Sequence, residues 1–164
     1  MVGCRPRRGD YHPAVDIDDL AIEPLGANET LDIDELLALY DAVGWSAYTD
    51  EPERLRAAIA GSSFVVTARR GIRLVGLARA ISDGAMDCYL QDVLVAPDQQ
   101  RSGIGRALVS AVMDHYSGAW RKVLLTGDEP RQHAFYESLG WTEIRDVDGG
   151  TIRAFVRFDG WGAT

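Results

Sequence analysis

Lysine is almost missing from this chain: Lys and Arg together number 17, and Lys122 is the single lysine among them. Acidic residues number 25, so the net charge is −8 at neutral pH, and a nucleic-acid partner is excluded because phosphate backbones want a basic face. Cysteine is scarce as well. Cys4 and Cys88 stand alone, with no CxxC or HExxH spacing anywhere, which excludes a disulfide framework and a zinc site. No apolar run approaches the roughly 20 residues of a membrane-spanning helix, so no membrane partner is expected. Arg5, Arg7 and Arg8 are not followed by the apolar core of a secretion signal, and the expected location is cytoplasmic.

What is present is an ordinary globular composition, 46% apolar and 26% charged over 164 residues. That is one domain's length, enough to bury about 68–70% of the unfolded surface. Residues 1–14 lack periodicity and read as a frayed arm, leaving residues 15–164 as a single domain. Asp16, Asp18, Asp19, Glu23, Glu29, Asp32, Asp34 and Glu35 crowd one short region, which reads as a solvated face.

The chain then alternates between two periods. A short strand is expected over Leu20–Pro24. Leu31, Ile33, Leu36, Leu37 and Tyr40 mark an amphipathic helix ending near Gly44, and Trp45 to Tyr48 read as a loop. Pro52 opens a second helix that ends at Gly61. Ser63–Arg69 and Arg73–Ala80 form a hairpin around Gly71. Leu90, Val93, Leu94 and Val95 end at Ala96-Pro97-Asp98 and have the length and branching of a buried strand. Ser102 is the expected N-cap of the helix that follows, with Ile104, Ala107, Leu108, Ala111, Val112 and His115 as its apolar stripe. Lys122–Thr126 reads as a parallel strand, so strand, helix and strand form a βαβ unit. Arg131–Leu139 is expected as a helix stopped by Gly140, and Trp141–Ile144 with Thr151–Phe158 as a closing hairpin.

Between the buried strand and the long helix lies Gln100-Arg101-Ser102-Gly103-Ile104-Gly105-Arg106. Glycines flanking one residue at a helix start let a ligand approach the backbone, whose first N–H groups have no partner within the helix. The helix dipole favours an anion there by roughly 0.3–1 kcal/mol, and several N–H groups can share a pyrophosphate. A Walker loop would need Gly-Lys-Ser/Thr, and Gly105 precedes Arg106-Ala107. A dinucleotide fingerprint would need Gly or Ala at Leu108 and an acidic residue near Val123. Neither fits. The remaining pattern, Gln/Arg-x-x-Gly-x-Gly/Ala after a strand, resembles that of the GNAT superfamily of acyl-CoA-dependent N-acetyltransferases. Ala134-Phe135-Tyr136-Glu137-Ser138-Leu139-Gly140-Trp141 is similar to that superfamily's second signature, and the order of elements from about residue 20 resembles its arrangement.

The resemblance implies an α/β domain with a mixed central sheet flanked by helices and strands splayed at an acetyl-CoA site. It implies acetyl transfer to a primary amine by direct attack in a ternary complex, with acetyl-CoA as donor and a small amine as acceptor. The backbone of Gln100, Arg101, Ser102, Gly103, Ile104, Gly105 and Arg106 would hold the pyrophosphate, and Arg101 and Arg106 can add charge-assisted contacts. Main-chain N–H groups of Val93, Leu94 and Val95 would polarise the acyl carbonyl. Tyr136, a phenol that keeps its proton at neutral pH, would protonate the leaving thiolate. Asp92, a lone carboxylate in an apolar strand, would bind or deprotonate the amine, or else be satisfied structurally. Trp45 and Tyr48 are the aromatic candidates for the substrate pocket, with core packing as the alternative. Val43-Gly44-Trp45, Ala78-Arg79-Ala80 and Gln91-Asp92-Val93-Leu94-Val95 are similar to serotonin-type acetyltransferases. The chain departs from the superfamily where an Asn commonly starts the last helix: Asp128, Glu129 and Pro130 stand there, and Asn28 is the sole asparagine. A non-catalytic acyl-CoA-binding module and a protein lysine acetyltransferase remain as alternatives, and a homodimer is left open.

Overall fold

The structure, a computed structural model, describes residues 20–157, so the expected arm over 1–14 and the end of the last expected strand at Phe158 lie outside the described residues. Contacts divide the chain into two compact units, one up to Leu124 and one from Leu125.

The first unit is built on a five-stranded mixed sheet in the order β1-β2-β3-β4-β5, namely Leu20–Pro24, Phe64–Arg70, Arg73–Ser82, Asp87–Val95 and Arg121–Leu124. The first four strands pair antiparallel in sequence order and β5 pairs parallel with β4. Three helices join β1 to β2: α1 (Ile33–Ala42), α2 (Ser46–Thr49) and α3 (Pro52–Ala60). α4 (Ile104–His115) joins β4 to β5, which gives the expected βαβ unit. α4 packs on β2, β3 and β4, and α1 packs on β3 and β4. Covered in this way, β3 is buried from Leu74 through Ala80, so its sequence is a continuous apolar run broken only by Arg79.

Local chemistry explains the helix limits. Asp32 caps α1 by accepting from Asp34 N–H (2.8 Å) and Glu35 N–H (3.2 Å). Trp45 to Tyr48, expected as a loop, contribute instead to the short helix α2, closed by Asp50 N–H on Ser46 O. In α4 the buried positions are Ile104, Leu108, Val109 and Val112; His115 is exposed and its ring stacks on Phe64 at 4.0 Å.

One contact fixes where α4 can sit. A Cβ added to Gly76 would lie 3.0 Å from Leu108 Cδ1, 3.1 Å from Leu94 O and 3.2 Å from Ala68 Cβ. Gly76→Ala should therefore push α4 off β3 and cost about 1–3 kcal/mol of stability, read as a lower midpoint in urea. An unchanged midpoint would mean that the α4 packing is looser than this.

In the second unit α5 spans Pro130–Glu137, and a 3₁₀ turn spans Ile144–Gly149. The expected closing hairpin is not formed by the described residues: Trp141–Glu143 and residues 151–157 carry no strand. Local bonds instead shape the segment between them. Asp146 N–H donates to Glu143 O at 2.9 Å and Gly150 N–H to Val147 O at 2.8 Å, while Gly149 and Gly150 both turn through positive φ.

Candidate active site

The glycine turn begins where β4 ends. Pro97–Gln99 makes one 3₁₀ turn, held to the β2–β3 hairpin by Arg70 Nε on Gln99 Oε1 (2.6 Å) and by the Arg73–Asp98 ion pair (2.7 Å). Gln100 donates through Nε2 to Val95 O at 3.1 Å. Arg101 takes φ +62°, the one non-glycine among the described residues with positive φ, and Gly103 follows at φ +89° as the residue before α4. Ser102 is not the expected N-cap: its Oγ donates to Gln99 O at 2.5 Å, bracing the turn from behind. The first backbone bond of α4 runs from Ala107 N–H to Gly103 O, so the N–H groups of Gly103, Ile104 and Gly105 stand ahead of it with no helical carbonyl to meet. Around Gly103 a Cβ would touch no heavy atom within 4 Å, which leaves the turn open to a ligand. Ile104 is buried and anchors the turn in the core; Gly105 is half-buried, and Gln100, Arg101, Ser102, Gly103 and Arg106 are exposed.

Beside the turn, β4 has an edge left unpaired among the described residues. β5 pairs with β4 only from Asp87↔Arg121 to Leu90↔Leu124, while β4 continues to Val95. Ala96 N–H donates to Val75 O at 2.9 Å, on the β3 side. By the two-residue repeat of a strand, the N–H groups of Val95 and Val93 therefore point to the other edge. Leu94 differs from these two: its N–H turns toward β3 and its side chain is buried. The register against β3 also jumps, from Arg79↔Asp92 to Ala80↔Leu90, so Gln91 is an extra residue, a β-bulge.

Asp92 comes off this bulge into the layer beneath α1. Only 2% exposed, it accepts on Oδ2 from Arg79 Nε and from Tyr40 Oη at 2.8 Å, while its Oδ1 lies 3.5 Å from Gln91 Nε2. Burial works against the Arg79 charge, but the Asp92 carboxylate outweighs it and holds the guanidinium above its usual range. Burial, then the Asp92 charge, pushes the Tyr40 phenol far up, so it donates and does not ionise. Tyr40 belongs to an aromatic cluster with Trp45 (5.9 Å) and Tyr48 (5.3 Å), themselves stacked at 5.7 Å. Burial and Asp92 also raise Tyr48 and Tyr89. Asp92 thus lies with Trp45 and Tyr48 in one neighbourhood, and Arg79 and Tyr40 belong there although the sequence did not single them out. The available signal was Arg79 itself, a lone charge in the β3 apolar run that matches Asp92 in β4.

In the second unit, Tyr136 lies half-buried on α5 between Phe135 (5.0 Å) and Trp141 (6.2 Å), both edge-on. Burial raises its phenol above the usual value. In the first turn of α5, Gln132 Oε1 accepts from Gly127 N–H at 3.1 Å and from the Thr126 hydroxyl. Among the described residues, no cluster of His, Cys, Asp and Glu could hold a metal ion, and no helix is long and apolar enough to cross a membrane.

An open glycine turn ahead of an amphipathic helix, next to a strand edge that its parallel neighbour leaves open, is the arrangement of an α/β acyltransferase. The family model described as an acetyltransferase (GNAT) domain matches residues 37–151. An uncharacterised N-acetyltransferase, ycf52, of Pyropia yezoensis is 30% identical over 130 residues, covering 76% of this chain and 72% of its own. Serotonin N-acetyltransferase 2, chloroplastic, of Oryza sativa subsp. japonica is 32% identical over 132 residues, 77% of this chain and 64% of its own. The solved GNAT family protein SP0256 of Streptococcus pneumoniae TIGR4 superposes with a TM-score of 0.73 at 27% identity, covering 87% of this chain and 99% of that one. The chain belongs to the GNAT acetyltransferase family.

Proposed function

We propose that the protein transfers an acetyl group from acetyl-CoA to a primary amine, the amine attacking the thioester directly while both substrates are bound. The observation that carries this reading is the open turn at Gly103 set beside the unpaired N–H groups of Val93 and Val95. Acetyl-CoA supplies the thioester; the chain supplies docking, polarisation and proton handling. The N–H groups of Gly103, Ile104 and Gly105 hold the pyrophosphate, with Arg101 and Arg106 as charge-assisted partners and Gln100 and Ser102 keeping the turn in shape. N–H groups of Val93 and Val95 donate to the acyl oxygen as it gains charge, in a strand that needs no rearrangement to do so. Asp92 Oδ1 takes a proton from the incoming ammonium, directly or through a water, so that the free amine attacks, while Oδ2 stays with Arg79 and Tyr40; the proton the nitrogen loses after attack returns through solvent to the Tyr136 phenolate left by protonating the thiolate. Trp45 and Tyr48 pack against the organic part of the amine. Tyr136 gives its proton to the departing thiolate.

A panel of arylalkylamines, polyamines and lysine peptides, scored by release of free thiol, tests the assignment. Amine-dependent release with small amines supports it. Release with peptides alone would make the protein a lysine acetyltransferase, and acetyl-CoA binding without release would make it a regulatory module. Asp92→Asn leaves the Arg79 guanidinium buried without its counter-charge, so stability should fall by about 3–5 kcal/mol. Turnover of the variant that is still folded should drop roughly tenfold with acetyl-CoA affinity unchanged, since the carrier does not need that carboxylate. Full activity across the pH profile would make Asp92 purely structural.

A further inference from the structure

We propose that Arg79 and Tyr40 are positioning residues that lock the register of β4 at its bulge, and so decide which backbone N–H groups face the open edge. The proposal rests on the reading above, in which Val93 and Val95 polarise the acyl oxygen. A bulge is where a strand can slip, and a slip of one residue sends each following side chain to the opposite face and each N–H to the opposite edge. Hydrophobicity cannot prevent that here. The segment after the bulge reads Val93-Leu94-Val95-Ala96, apolar on both faces, so the alternative register buries nearly the same groups. Asp92 is the residue that tells the two registers apart.

In the observed register Asp92 stands opposite Arg79, and Arg79 stands opposite Val65 of β2. The Asp92 carboxylate takes Arg79 Nε and the Tyr40 hydroxyl (2.8 Å), and Arg79 Nη1 reaches Ser62 Oγ (3.3 Å) just beyond α3. One buried carboxylate therefore ties together β4, β3, α1 and the connection from α3 to β2. Slipped by one, it would face the α4 side, where Gly76 lies against Leu108, and among the described residues no buried charge other than Arg79 exists to meet it. Buried ion pairs seldom add stability over apolar packing of the same volume, and setting register is their best-attested use.

The test uses ¹⁵N-labelled full-length protein and leaves Asp92 in place. The cross-strand proton contact of Ala78 with Val93 reports the register after the bulge, that of Ala80 with Leu90 before the bulge serves as the fixed reference, and amide exchange at Leu94 reports its bond toward β3. In Arg79→Met the Ala78–Val93 contact should weaken or double, Leu94 should exchange roughly tenfold faster, and turnover should fall roughly tenfold with the acetyl-CoA dissociation constant little changed. Tyr40→Phe should give a smaller change of the same pattern, and Arg79→Lys should recover most of the turnover. Should Arg79→Met fail to fold, Tyr40→Phe and Arg79→Lys carry the comparison, both being milder. Wild-type contacts together with wild-type turnover overturn the proposal. So does a loss of turnover with contacts and exchange unmoved. If the wild-type protein released no thiol with any amine, the acetyltransferase reading would fail instead, while the contacts and exchange would still decide the register lock.

Discussion

Replacing Tyr136 by phenylalanine should lower turnover roughly 10²-fold and leave acetyl-CoA affinity near its wild-type value. The substitution removes one oxygen and keeps the ring, so the edge-on packing against Phe135 and Trp141 survives. What is lost is a proton donor. Burial raises the Tyr136 phenol above its usual value, so the group is protonated throughout the neutral range and is available to a leaving thiolate that would otherwise depart as an anion. The sign of the pH dependence follows. An acid active in its protonated form fails as pH rises through its pKa, so the alkaline limb set by Tyr136 should lie above about pH 10 and should vanish in the Phe variant. A Phe variant that matches wild type when chemistry limits the rate would hand the proton to water.

The second large effect belongs to the glycine turn. Gly103→Val should raise the acetyl-CoA dissociation constant roughly tenfold, equivalent to about 1.4 kcal/mol. Inside the protein a side chain here meets nothing within 4 Å, so no internal clash is responsible. Two other causes act together. At φ +89° a β-branched residue pays roughly 1–2 kcal/mol, which drives the turn toward another backbone shape and re-aims the N–H groups of Gly103, Ile104 and Gly105. The added methyls would also fill the open space where the pyrophosphate is proposed to dock. Calorimetric titration reads the change, and Gly103→Ala should fall between the two. An unchanged constant in a folded Val variant would move the phosphate site elsewhere.

Much of this was legible in the sequence because two periods alternate cleanly. The strand ending at Val95, the turn to Gly105 and the stripe of α4 show the switch from alternation to helical spacing with glycines at the switch, and these parts form where expected, although Ser102 does not cap the helix and Val109 rather than His115 is buried. The hairpin of β2 and β3 was equally plain around Gly71. What escaped depends on contacts between distant segments. Helix α2 has only four residues and forms where Tyr48 packs on the Tyr40 ring, which no local pattern announces. The bulge at Gln91 exists only as a mismatch against β3. Ser102 has the right chemistry for a cap, yet its hydroxyl turns back to Gln99 because Gly103 already sets the helix start. Toward the C-terminus the alternation around Phe155 invited a strand, and the glycine pair at 149 and 150 with its local bonds took the backbone elsewhere.

The central claim is tested most directly by incubating the protein with acetyl-CoA and a primary amine, then measuring released CoA thiol and N-acetylated amine in the same sample by mass spectrometry. Transfer in a ternary complex predicts the two products in equal amounts, both absent without the amine and both lowered together in Gly103→Val at limiting acetyl-CoA. Thiol released without the amine, or none released across the panel while acetyl-CoA still binds, would contradict it.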